Sequence, residues 1–291
     1  MRISVSTCLF NSMLWKEGNH YPPIESISRC AKAGYRVMEM DWGVYSLHDS
    51  PFGHDGWQAM VRQVVEVSKA LGIECSTAHA HFYNPSGLSE DEKIQHEHLI
   101  HETIVASGMV GASIVVMHPL TACEDGWYSH KDSLRFNTDY FARYGALAST
   151  YGMKLAIENM IESPHYRRYC SSTEELLELI DTLNDDKTFG ICWDTGHANL
   201  SKVDQCAALS TIGPERLIAL HIADNRGQFD DHLAPYWGTI EWEPIMAMLK
   251  TMGYRGDFTL EIHKFLNGLP DALHDRVASL THDIATYLLS L

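Results

Sequence analysis

An apolar run from Phe189 to Trp193 ends on Asp194, and a Thr-Gly turn then leads to His197. A buried strand that delivers a carboxylate, and an imidazole three residues later, can build a metal or acid–base site. Asp194 could equally cap the helix that follows, so the pattern informs only if it recurs. It does: apolar runs lead into His118, Glu158, His221 and Glu261, and Glu39, His79 and His81 stand at the ends of two further runs. Carboxylates and imidazoles so placed must be paired, hydrogen-bonded or bound to a cation, because burying them alone is costly. Glu158, Asp194, His221 and Glu261 offer three oxygen donors and one nitrogen donor. That mix suits Mn²⁺, Mg²⁺, Co²⁺ or Zn²⁺ rather than a thiolate-rich zinc site. Open positions on such an ion would take two oxygens of a sugar-like substrate, polarise a carbonyl and stabilise an enediolate.

The elements that would position these residues follow from periodicity and punctuation. Strands are predicted at 1–7, 36–40, 73–79, 113–117, 154–157, 189–193, 217–220 and 258–262. Helices are predicted at 22–33, 56–70, 89–107, 132–150, 173–183, 204–212, 242–252 and 269–289. Pro22-Pro23 opens the first helix and Gly34 closes it. Ser89 followed by Glu92 has the spacing of a capping box, and Ser172 precedes the fifth helix as its N-cap. Eight alternating units without a linker predict one (β/α)8 TIM barrel domain over residues 1–291. An open doubly wound sheet would carry a Gly-rich loop after its first strand, and Cys8-Leu9-Phe10-Asn11 is not one.

Composition narrows the partners. Lys and Arg number 22 against 38 Asp and Glu, a formal charge of −16. Such a chain repels phosphate backbones, and with no Lys/Arg-rich run no nucleic acid is expected. The N-terminal residues are too quickly polar for a signal peptide, and no apolar run reaches membrane-spanning length. Seven cysteines, dispersed and without a Cys-x-x-Cys pair, read as reduced thiols of a cytoplasmic protein.

Four motifs carry a family resemblance: Ile-Glu-Asn at 157–159, Asp-Thr-Gly-His at 194–197, His-Ile-Ala-Asp-Asn at 221–225 and Leu-Glu-Ile at 260–262. Together, in this order, they resemble the xylose isomerase-like barrel superfamily, and within it the sugar isomerase/epimerase branch of ketose 3-epimerases and inosose dehydratases. The resemblance spans almost the whole chain and does not specify a substrate. It implies one divalent metal held by Glu158, Asp194, His221 and Glu261. Glu158 and Glu261 would also be the acid/base pair, one removing a proton alpha to a carbonyl and the other returning it. It further implies that His197 binds substrate oxygens, that Arg226 is the arginine following the metal histidine, and that the protein is a dimer or tetramer. The substrate would be a small sugar, ketose or inosose; a dehydratase using the same proton abstraction is the near alternative.

A second resemblance lies in the same superfamily. The endonuclease IV type of abasic-site nuclease holds three zincs, and the additional donors here have a similar order. His79 and His118 with Glu158 would hold a second ion, and His197, Asp230 and His232 with Asp194 a third, a set able to activate water. The acidic charge and the absence of a basic, aromatic-interleaved loop weigh against nuclease action. Among other residues, His81 either shares the face of His79 or belongs to a substrate loop, and His263 bears the same relation to Glu261. Glu39 either touches substrate or pairs with a nearby histidine. His96, His98 and His101 read as a solvated helix face. Phe10, Trp15, Trp42, Trp127 and Trp237 fall in or near loops that follow strands, where aromatic faces suit sugar C–H groups or, alternatively, simply pack the loops.

Overall fold

The computed structural model describes residues 1–11, 21–47, 50–124, 127–163 and 166–291. Eight parallel strands form a closed barrel. In chain order they are β1 (Arg2–Ser6), β2 (Val37–Asp41), β3 (Glu74–His79), β4 (Ile114–Met117), β5 (Lys154–Glu158), β6 (Phe189–Asp194), β7 (Leu217–Ile222) and β8 (Asp257–Leu260). Each strand hydrogen-bonds its neighbours in chain order, and β8 closes on β1 through the register Arg2↔Asp257 to Val5↔Leu260. Eight longer helices follow the strands: α1 (Pro23–Ala33), α2 (Trp57–Leu71), α3 (Glu90–Met109), α4 (His130–Thr150), α5 (Thr173–Leu183), α6 (Gln205–Ile212), α7 (Trp242–Thr251) and α8 (Asp271–Ser290). The predicted strands and helices all form, with ends displaced by a residue or two.

Local chemistry explains these boundaries. Ser89 accepts the Glu92 backbone N–H while the Glu92 carboxylate accepts that of Ser89, a complete capping box on α3. Gly34 ends α1 at φ 115°, a left-handed conformation that side chains resist. What periodicity did not reveal lies in the loops. Two short antiparallel hairpins, Cys123–Glu124 with Trp127–Tyr128 and Glu162–Ser163 with Tyr166–Arg167, stand after β4 and β5. Short helices at Trp42–Tyr45 and Thr195–Leu200 follow β2 and β6. Two-residue strands and helices of fewer than two turns are too brief for a periodic signal.

The side-chain alternation of a strand positions the site. Val116, Ala156, Cys192 and Ala219, from β4 to β7, pack together as an apolar cluster apart from the main core. Two residues further along the same chain positions stand His118, Glu158, Asp194 and His221. Residues i and i+2 share a face, so an apolar layer underlies the ionisable one at the C-terminal mouth of the barrel. The main core, with Trp42, Trp193, Trp242 and Phe258 fully buried, lies largely between the strands and the helices.

Candidate metal centre

Glu158, Asp194, His221 and Glu261 converge, each offering a donor atom within 4.8 Å of the others. His221 Nδ1 lies 3.4 Å from Glu158 Oε2 and 3.3 Å from Glu261 Oε2. All four residues are buried. Each also carries a buried atom with no hydrogen-bond partner among the described residues: Glu158 Oε1, Asp194 Oδ2, His221 Nδ1 and Glu261 Oε2. Four orphaned donors converging in one buried place are costly unless something satisfies them jointly, and a divalent cation does. The residues present therefore fit a metal ion.

The surroundings orient these atoms. Asp194 does both jobs that its position suggested: Oδ1 accepts the His197 backbone N–H at 2.5 Å, capping the short helix, while Oδ2 is left over for the cluster. Asn159 clamps the Asp194 backbone, its Oδ1 accepting the Asp194 N–H at 2.6 Å and its Nδ2 donating to the Asp194 carbonyl at 3.0 Å. Glu39 sits behind His221, with Oε2 3.0 Å from Nε2. An ionised carboxylate only accepts, so Nε2 carries the proton and Nδ1 presents a lone pair to the cluster. This is the carboxylate–histidine pairing that fixes metal-ligating imidazoles. Glu39 thus pairs with a histidine, and burial notwithstanding, His221 holds its carboxyl below the usual range.

Three more histidines are fixed the same way. His79 Nδ1 donates to the Ala80 carbonyl at 2.8 Å, His197 Nδ1 to the Asn159 carbonyl at 2.8 Å, and His232 Nδ1 to the Glu261 carbonyl at 2.9 Å. A carbonyl can only accept, so in each neutral ring Nε2 is the free acceptor. His79 Nε2 lies 3.3 Å from Glu158 Oε2 and 3.2 Å from His118 Nε2, and His118 Nε2 is 3.2 Å from the same Glu158 oxygen. His232 Nε2 and His197 Nε2 face Asp230 at 3.1 and 3.9 Å. Beside the four-residue cluster, His79 and His118 thus gather on Glu158, and His197 and His232 on Asp230, while Asp194, expected in that last set, belongs to the four-residue cluster.

Without a cation the carboxylates draw protons onto these rings. Burial opposes the charge on His79 and His232, but Glu158 and Asp230 respectively outweigh it and lift both to about 9. Burial dominates at His118 and lowers it to about 4. It also pushes the Glu261 carboxyl up, whereas Glu158, ringed by His221 and His118, is held down despite burial.

A chamber of about 100 Å³ opens above the cluster, lined in part by Asp41, Phe82, Met160, Arg168 and His263. Asp41 escaped sequence reading, although it lies two residues beyond Glu39 on an extended strand and so shares its face. Phe82 and Met160 come from loops, where no pattern announces an inward direction; Arg168, which with Arg167 could meet a phosphate or simply be solvated, lines the chamber from the loop after β5.

Other expected residues lie elsewhere. Arg226 is exposed and does not line the chamber; its backbone N–H reaches Asp231, 3.4 Å away. The adjoining loop is held by the buried Asp224, which accepts from the backbone of Asn225, Tyr236 and Ile240 and from Trp242 Nε1, and this leaves Arg226 at the surface. His81 is buried outside the chamber, between Ser46 Oγ at 2.6 Å and His96 Nδ1 at 2.8 Å, and burial lowers it to about 3. His96 accordingly belongs to a packed stack, its ring 4.5 Å from that of Tyr83, rather than to a solvated face. Phe10 and Trp42 are core residues, whereas Trp127 and Trp237 are exposed. Trp15 lies outside the described residues.

The profile of the xylose isomerase-like TIM barrel family matches residues 27–280. An uncharacterized protein of Methanocaldococcus jannaschii is 28% identical over 254 residues, covering 77% of this chain and 84% of its own. The crystal structure of a D-tagatose 3-epimerase-like protein superposes with a TM-score of 0.76 at 22% identity, over 100% of this chain and 97% of the other. That of the IOLI protein with a bound zinc atom gives 0.76 at 17% identity, over 100% and 98%. At these identities the two structures share the fold.

Proposed function

The chain belongs to the xylose isomerase-like TIM barrel family, and from that premise we propose that it is a metal-dependent isomerase or epimerase of a small sugar, ketose or inosose. The observation that carries this reading is the set of four orphaned donors on Glu158, Asp194, His221 and Glu261, with Glu39 turning the His221 lone pair inward. A divalent ion held there would polarise a substrate carbonyl and offset the negative charge that develops when a neighbouring C–H is deprotonated. Glu158 and Glu261 both flank that place, as an acid and a base acting on one substrate carbon require. One takes the proton alpha to the carbonyl and the other returns it to carbon. Asp41 and His197 line the chamber where substrate hydroxyls would lie, and Phe82, Met160 and Ile161 give it apolar walls that would limit water around a bound substrate. Elimination of a beta hydroxyl after the same proton abstraction would make the enzyme a dehydratase.

The test is solvent deuterium exchange into a panel of free ketoses and inososes. The wild type should label at least one of them, and Glu158→Gln and Glu261→Gln should each abolish labelling. Labelling at the normal rate in either variant refutes its assignment as a proton carrier.

A second reading draws on the two histidine groups beside the centre. A multinuclear zinc site with a water nucleophile would hydrolyse phosphodiesters, as in the endonuclease IV type. Three tightly held zincs and cleavage of an abasic oligonucleotide would support it; one Mn, Co or Mg per chain with no cleavage supports the isomerase. The charge of −16 opposes the nuclease.

A further inference from the structure

Beside the chamber lies a groove of about 520 Å³, built by the loops after β3, β4 and β5. The same loops supply both spaces in consecutive residues. Phe82 lines the chamber and Tyr83 the groove, His118 the chamber and Pro119 the groove, Ile161 the chamber and Glu162 the groove. Arg168 lines both, so its side chain borders each space. The chamber alone falls well below the roughly 300–1,000 Å³ of small-molecule sites, and the groove falls within it.

The walls of the groove have a definite chemistry. The two short hairpins flank it, and Trp127 stands on one of them 81% exposed, an indole that no packing requirement explains. The neighbouring arginines differ. Arg167 is committed, donating to Glu162 and Glu175 at 2.7 Å each. Arg168 donates Nε to the Tyr166 hydroxyl, and among the described residues it has no carboxylate partner and no acceptor for its terminal nitrogens. The free terminal nitrogens of one guanidinium beside an exposed indole, in a strongly acidic chain, suit a neutral, hydroxyl-rich ring rather than a phosphate.

We propose that the substrate is a two-ring carbohydrate. Its reacting ketose end occupies the chamber, and a glycosidically attached second sugar lies in the groove, C–H face against Trp127 and hydroxyls on Arg168. This rests on the isomerase reading of the chamber and extends it to a substrate class.

The test is calorimetric titration of the metal-loaded protein with fructose and with a set of glucosyl-fructose disaccharides differing in linkage. At least one disaccharide should bind about tenfold more tightly than fructose, the scale of one aromatic face. Trp127→Ala should bring that preference toward parity and Trp127→Phe should keep most of it; metal content reports that both variants are folded. Parity of every disaccharide with fructose in the wild type, or a preference untouched by Trp127→Ala, overturns the proposal. A disaccharide that binds tightly yet gains no solvent deuterium, with fructose gaining none either, instead counts against the isomerase reading and leaves the groove assignment standing.

Discussion

Glu39 shows how much one side chain behind a ligand can decide. Its carboxylate takes the Nε2–H of His221, and that choice of tautomer aims Nδ1 at Glu158 and Glu261. Glu39→Ala should weaken divalent-metal affinity by about 10–100-fold, the usual effect of removing such a partner, measured by competition with a chromogenic chelator. Unchanged affinity would mean that His221 is held by packing alone. The raised imidazoles give a pH dependence of definite sign. His79 and His232 move from 6.5 to about 9 in the folded metal-free protein. Their contribution to its stability is fully present below pH 6.5 and is lost as pH rises through 9. A metal ion that takes their Nε2 atoms must displace those protons, so its affinity should rise with pH over the same window. Titrations in buffers of different ionisation enthalpy would count the protons released; none released at pH 7 excludes both rings as ligands.

At the scale of the element, the loops after β6 and β7 are bound into one unit. Asn225 Nδ2 donates to the Gly196 carbonyl at 2.7 Å and Asn225 Oδ1 accepts from Asn199 at 2.8 Å, while Asp224 gathers the chain that returns toward α7. Gly238 packs against this unit so closely that an added Cβ would stand 2.1 Å from Asp224 Oδ1 and 2.3 Å from the Asn225 carbonyl oxygen. Backbone cannot yield as a side-chain tip can. Gly238→Ala should therefore destabilise the protein by about 1–3 kcal/mol, the range for overpacking, read as a lower urea midpoint at unchanged slope. A neutral substitution would show that this loop unit adjusts freely. The strand–helix alternation was legible because each long element repeats its pattern several times; the hairpins that wall the groove were not, being two residues a side.

At the scale of the whole molecule, the barrel gathers far-separated parts of the chain at one mouth, and the cost is a cluster of buried carboxylates that an ion would relieve. Adding the preferred metal at about 100 times its dissociation constant should stabilise the folded protein by about 2.7 kcal/mol, seen as a rise in melting temperature that a chelator reverses. Elemental analysis should return one ion per chain for the isomerase and three for the hydrolase. Among the described residues no helix is long and apolar enough to cross a membrane.

The primary sequence by itself determined which atoms can reach the mouth. Apolar strands of period two ending in Glu158, Asp194, His221 and Glu261 have one inward face, and a closed barrel brings inward faces together. It also showed the order of motifs that marks the family. Only tertiary structure decided which nitrogen of each imidazole is free, that Glu39 stands behind His221, that Arg226 faces solvent while Arg168 faces the chamber, and that a groove adjoins the site. Those outcomes depend on hydrogen bonds and loop paths, some between neighbours such as His79 and Ala80 and others, as between Glu39 and His221, far apart along the chain, and neither kind carries a periodic signature.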